Sequence, residues 1–228
     1  MGFSVPKAKR WDGGIIPYAF KTDPKKLPDG RLQAFFVACM RRWERFVNVV
    51  DPLVQFVEWD GDESKPHLLI DLSDFSEQCP SSCPLGRPDG KVSRFTFNMY
   101  RADEYKSIPH ELGHALGLAH EHLRNAPANL KAWQKADEPH LYPVDQWQVV
   151  SQSGAKGKYE EHGSYDLRGI MHYPSAKGWS WSRDAWNKEE NLKDLLAAVN
   201  YPTCEEIEND TWWLSAEDIT TVQDLYAS

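Results

Sequence analysis

His110-Glu111-Leu112-Gly113-His114-Ala115-Leu116-Gly117-Leu118-Ala119-His120-Glu121 is the stretch on which the reading of this 228-residue chain turns. Residues four apart share a helix face, so His110 and His114 present two imidazoles that can ligate one metal ion. Glu111 adjoins the pair without joining it, and can reach a water held at the metal. Gly117 takes positive φ at no steric cost, so it ends the helix and turns the chain. That turn brings His120 to the same metal from a third direction. Three neutral imidazoles leave one coordination position open, as catalytic zinc requires and structural zinc does not. The first His pair alone also occurs on ordinary solvated helix faces. Adding a Gly and a third His at fixed spacing makes coincidence roughly two to three orders of magnitude rarer, with each residue type at a few per cent usage.

The composition around this stretch excludes several classes. Hydrophobic residues make up 41% and charged residues 26%, the balance of a globular protein with a core. The net charge of −8 and pI ≈ 5.5 argue against an electrostatic grip on nucleic acid or anionic lipid. No apolar run approaches the roughly 20 residues of a membrane span. Met1-Gly2-Phe3 is not followed by an apolar signal core, since Pro6, Lys7, Lys9 and Arg10 interrupt it. That start fits either a cytosolic protein or a mature chain with an added Met. Ten Trp residues are the compositional oddity.

The length suits one domain over residues 1–228, with an N-terminal lobe at about 11–117, a C-terminal lobe at about 118–228, and a cleft between. Residues 14–20 read as a first strand. Leu32, Phe36, Cys39, Met40, Trp43, Phe46, Val47 and Val50 recur at helical spacing, the apolar face of a long helix starting after Asp29-Gly30. Residues 54–59, 67–72 and 92–100 read as strands, and 73–90 as irregular. A helix over about 107–117 carries the histidines. Later helices are expected near 184–199 and 215–226. The first half is therefore β-α-β-β-β-α, and the second is irregular and rich in Trp, Pro and Lys.

His110 through His120 matches the metzincin zinc signature. With Glu121 directly after the third His, it resembles the astacin family. Trp11-Asp12-Gly13-Gly14-Ile15-Ile16-Pro17-Tyr18 is similar to that family's mature N-terminal segment. Tyr165-Asp166-Leu167-Arg168-Gly169-Ile170-Met171-His172-Tyr173 is similar to its Met-turn, and residues 214–226 to its C-terminal helix. The resemblance implies an α+β zincin-like fold: a mixed, mostly parallel sheet with two long helices in the N-terminal lobe, and an irregular C-terminal lobe. It implies a zinc endopeptidase with one Zn2+ per chain, bound by His110, His114 and His120. Glu111 is then general base and acid, Met171 an apolar floor under the metal, and Tyr173 a metal-side hydrogen-bond donor to the oxyanion. Glu121 is expected to contact a processed N-terminus near Gly2; its other reading is an exposed glutamate at a helix exit.

Cys39, Cys79, Cys83 and Cys204 allow three pairings, and they depart from the family's spacing. The pairing expected is Cys39–Cys204 between the lobes, with Cys79–Cys83 closing a small loop, in a secreted protein. Lys177 and Arg183 follow the Met-turn and are candidates for a basic primed-side pocket. Substrate is expected as an extended peptide or protein along an edge strand near Ser81–Gly86, with no nucleic-acid partner and a monomeric enzyme. Two other classes fit less well: a non-catalytic binding module with a Trp-rich face, and a zinc hydrolase of non-peptide amides.

Overall fold

Strand β2, Ile15–Thr22, sends Ile16 and Tyr18 inward and Ile15 and Lys21 outward, the period-two pattern of a half-buried strand. The computed structural model describes residues 3–22, 31–72, 81–97, 107–121, 160–161, 169–171 and 214–227. Helix α1, Arg31–Val47, returns the chain across the sheet to β3, Gln55–Glu58, which lies parallel beside β2. Parallel neighbours require such a crossover. Strands β4, His67–Leu72, and β5, Val92–Thr96, complete a parallel sheet in the order β3-β2-β4-β5. Tyr18 is in register with Leu68, which in turn faces Ser93. An antiparallel bridge from Ser82 to Thr96 adds a segment beyond β5. The parallel sheet meets the expectation of a mostly parallel one, and its antiparallel part among the described residues is limited to this isolated bridge.

The core lies between the sheet and α1. Leu32, Phe35, Phe36, Cys39, Met40, Trp43 and Val47 of α1 are buried against Phe56, Leu68, Ile70, Leu72 and Phe95. Phe36 meets Phe95 and Phe97 edge-on, with ring centroids 5.2 and 5.4 Å apart. Burying each such ring stabilises by roughly 1.5–3 kcal/mol. The apolar pattern overran the helix at one residue: Val50 is 87% exposed, beyond the end of α1. Asn48 explains the stop. Its Oδ1 accepts the Leu53 and Val54 amides while its Nδ2 donates to the Val54 carbonyl, turning the chain toward β3.

Helix α2, Ser107–Leu116, buries Ile108, Leu112, Ala115 and Leu116. It is tied to α1 by Trp43, whose indole N–H donates to the Pro109 carbonyl at 3.1 Å. Helix α3, Ala216–Tyr226, opens on a capping box: the Ser215 hydroxyl accepts the Asp218 amide and Asp218 accepts the Ser215 amide. Its Gln223 donates to the Val47 carbonyl at the end of α1. At the N-terminus, β1, Phe3–Ser4, pairs antiparallel with β6, Glu160–Glu161. Trp11 and Trp43 are both core residues. The helix expected near 184–199 lies outside the described residues. No helix among the described residues is long and apolar enough to cross a membrane.

Candidate metal centre

A helix leaves its last carbonyls without intrahelical partners. At the end of α2, every carbonyl from Gly113 to Gly117 is matched. Gly117 has φ +104° and closes a Schellman turn: its amide donates to the His114 carbonyl and the Leu118 amide to the Gly113 carbonyl. The His114 carbonyl also accepts from the Gly86 amide, and the Gly117 carbonyl from the Val5 amide. The Trp11 indole N–H donates to the Ala115 carbonyl at 2.8 Å, and the Tyr226 hydroxyl to the Leu116 carbonyl at 3.1 Å. The turn that redirects the chain toward His120 is therefore fixed from three remote segments.

His110 and His114 stand one turn apart, as the motif predicts. A carbonyl oxygen only accepts, so the ring nitrogen facing it carries the proton. His110 Nδ1–H donates to the Ile170 carbonyl at 2.6 Å, and His114 Nδ1–H to the Leu118 carbonyl at 2.7 Å. Each Nε2 then carries a lone pair. Both point at His120 Nε2, at 3.1 Å from His110 and 2.9 Å from His114. One proton on His120 can serve one of these contacts at most, whereas a cation accepts all three lone pairs. Zinc–nitrogen bonds of about 2.0–2.1 Å in a tetrahedron place ligand nitrogens ~3.3 Å apart. The cluster as it stands is within a few tenths of an ångström of that, so the donor set fits zinc. Burial pushes the His110 pKa down to about 4, against a smaller rise from its bond to Ile170, so this imidazole is neutral and ligand-competent at neutral pH.

Glu111 is buried beside the cluster. Burial, and then the Glu111 charge, push the Cys83 thiol pKa well up, which places Cys83 near that carboxylate. The segment from Ser82 to Gly86 therefore runs from the sheet edge to the histidine helix. Met171 packs on α2 at Gly113, between the two histidines. A Cβ added at Gly113 would come 2.5 Å from its Sδ. The Met171 carbonyl accepts the Glu121 amide at 3.1 Å. Glu121 is 2% exposed, which rules out the open helix-exit reading. The bridge from Ser4 to Leu118 lays the N-terminal strand over that exit, and Gly2 lies outside the described residues.

Tyr173, Lys177, Arg183, Cys79 and Cys204 also lie outside the described residues. Cys39 and Cys83 are buried, and Cys83 Sγ is 3.5 Å from the Pro84 carbonyl. Sequence reasoning did not single out three contributors: the Ile170 carbonyl, the Gly86 amide and Asp218. Ile170 and Gly86 act through their backbones, which side-chain patterns do not report. Asp218 carried a legible signal, the Ser-x-x-Asp spacing of a helix start, but its second bond was not legible. Its Oδ2 also accepts the Ile170 amide at 2.8 Å.

A family model described as Astacin, a family of peptidases, matches residues 3–226. Zinc metalloproteinase nas-39 of Caenorhabditis elegans is 28% identical over 232 residues, covering 98% of this chain and 21% of its own length. The dorsal-ventral patterning protein tolloid of Drosophila melanogaster is 31% identical over 121 residues, 53% of this chain. The chain spans 10% of tolloid's length, so it corresponds to one portion of these much longer relatives. A solved structure of myroilysin superposes with a TM-score of 0.54 at 18% identity, over 100% of this chain and 99% of that one, a likeness of fold.

Proposed function

Because this chain belongs to the astacin family of zinc metalloendopeptidases, we propose that it hydrolyses internal bonds of extended peptides and proteins with His110, His114 and His120 as zinc ligands. The observation that carries this reading is the convergence of three Nε2 atoms, two with lone pairs fixed by Nδ1–H bonds to carbonyls, beside a buried carboxylate.

A bound zinc ion supplies Lewis acidity, polarising the scissile carbonyl and acidifying water. Glu111 takes the proton of the attacking water and passes it to the departing amine, so one carboxylate serves as base and then acid. Tyr173, two residues beyond Met171, donates its hydroxyl to the developing oxyanion. Substrate lies along Ser81–Gly86. Ser82 is already bridged antiparallel to Thr96, so an added strand would extend the same sheet. Lys177 and Arg183 form a basic floor favouring acidic side chains after the scissile bond, which a cleavage-site profile would reveal. Glu121 receives the processed N-terminus. The enzyme works as a secreted monomer with one zinc per chain.

Digestion of unfolded casein, with zinc content measured in parallel, tests the central reading. A chelator should abolish turnover and added zinc should restore it. Glu111→Gln should keep the metal and lose roughly 10²–10⁴-fold in kcat. Retained turnover in Glu111→Gln would overturn the assignment of the base. Zinc uptake with no proteolysis by the unaltered chain would point instead to a binding module or to a hydrolase of other amides.

A further inference from the structure

We infer that Asp218 is a positioning residue of the metal centre, holding His110 in its ligating orientation through the backbone of Ile170. This rests on the reading of His110, His114 and His120 as zinc ligands.

The contacts form one continuous chain. Asp218 is 5% exposed, and its Oδ2 accepts two amides at once, from Ser215 at 3.0 Å and Ile170 at 2.8 Å. The first bond belongs to the capping box of α3 and needs no further explanation. The second does not cap anything. It reaches a residue 48 positions away, in the turn that carries Met171. The next group along that turn is the Ile170 carbonyl, which accepts His110 Nδ1–H at 2.6 Å. Fixing both the amide and the carbonyl of Ile170 leaves the turn little freedom to rotate. The carbonyl then fixes the tautomer and the ring plane of His110.

His114 is held differently: its acceptor, Leu118, belongs to the turn that ends its own helix. Of the two histidines on α2, His110 alone takes its Nδ1 acceptor from a remote segment, and Asp218 is the side chain among the described residues that bonds to the Ile170 amide of that segment. Met171 adds apolar contact on Gly113 but offers no directional bond to the ring. A buried carboxylate binding two amides is charge-assisted, which makes it a stiffer anchor than a neutral acceptor. Groups that orient a histidine ligand from behind typically control metal affinity by 10–100-fold.

The test compares zinc affinity, read by competition with a chromophoric chelator, in the unaltered chain, Asp218→Ala and Ser215→Ala. Both variants weaken the cap of α3, but only Asp218→Ala releases Ile170. The expected result is a loss of about 10–100-fold in zinc affinity for Asp218→Ala, with Ser215→Ala within about twofold of the unaltered chain. In the metal-free protein, the His110 Nδ1–H proton resonance should persist in Ser215→Ala and broaden away in Asp218→Ala. If Asp218→Ala does not fold, Asp218→Asn gives the same reading. It keeps the shape without the charge and should lose roughly three- to tenfold in affinity. Unchanged affinity in the folded Asp218 variant, or an equal loss in Ser215→Ala, overturns the inference and leaves Asp218 a helix cap. Failure of the unaltered chain to bind zinc would instead overturn the ligand assignment itself.

Discussion

His110 and His114 sit one turn apart on α2, yet they are anchored by different kinds of contact. The anchor of His114 is four residues away, in the turn that Gly117 makes. The anchor of His110 is 60 residues away and exists only when the segment around Met171 has docked. One half of the cradle is therefore encoded locally, and the other half is a product of tertiary packing. Local encoding makes the motif recognisable, while remote anchoring ties the site to the integrity of the whole fold.

The sharpest way to break the local side is Gly117→Ala. At φ +104° any side chain is strained, and the added Cβ would lie 2.9 Å from both Leu225 Cδ2 and Val5 Cγ2. We expect a loss of about 3 kcal/mol or more in urea unfolding. Zinc affinity should fall on the order of a hundredfold, because Leu118 and His120 both depend on this turn. A variant with unaltered zinc affinity would show that the turn does not set the cradle.

Gly113→Ala probes the remote side. The new Cβ would meet Met171 Sδ at 2.5 Å and the Trp43 ring at 3.4 Å, while φ is not at issue. Overpacking of this kind costs about 1–3 kcal/mol. Displacement of Met171 should also move Ile170, so zinc affinity should fall roughly tenfold, less than for Gly117→Ala. Thermal unfolding with and without zinc separates the two effects. A stability loss without any change in zinc affinity would mean that Met171 can shift without disturbing Ile170.

The smallest effect is expected from Tyr226→Phe. Its hydroxyl satisfies the Leu116 carbonyl at the end of α2 but touches neither histidine anchor. The hydroxyl also accepts the Trp11 amide at 3.4 Å, so two buried hydrogen bonds are lost, at a cost of about 1–2 kcal/mol. Zinc affinity should stay within about twofold of the unaltered chain. Any larger change would show that the two sides of the cradle are not separable.

These differences also explain what was legible beforehand. The expected bounds of β2, β4 and α3 fall within a residue or two of those observed; β2 and α1 each present one face to a shared core, whereas β4 is buried on both. The apolar pattern overran at Val50, where the deciding residue was Asn48, a polar side chain that turns the backbone. The ligands His110, His114 and His120 were readable because helix geometry and a glycine turn fix their spacing. What was not readable acts through main chain or across long gaps: the Ile170 carbonyl, the Gly86 amide on His114, and the Val5 amide on Gly117. The Ser-x-x-Asp spacing at Asp218 marks a helix start but is silent about its second bond, since no local spacing specifies a partner 48 residues away.

The bond between Asp218 and Ile170 also has a consequence in the order of synthesis. A ribosome delivers the sheet, the histidine helix and the Met171 turn well before α3, and folding proceeds as segments emerge. During that interval, three imidazoles are present while the backbone behind one of them still lacks its clamp. The Ile170 amide gains its Asp218 acceptor only when residue 218 has cleared the exit tunnel. The hydrogen-bonded backbone behind His110 is thus completed only after the sheet and both earlier helices have been made.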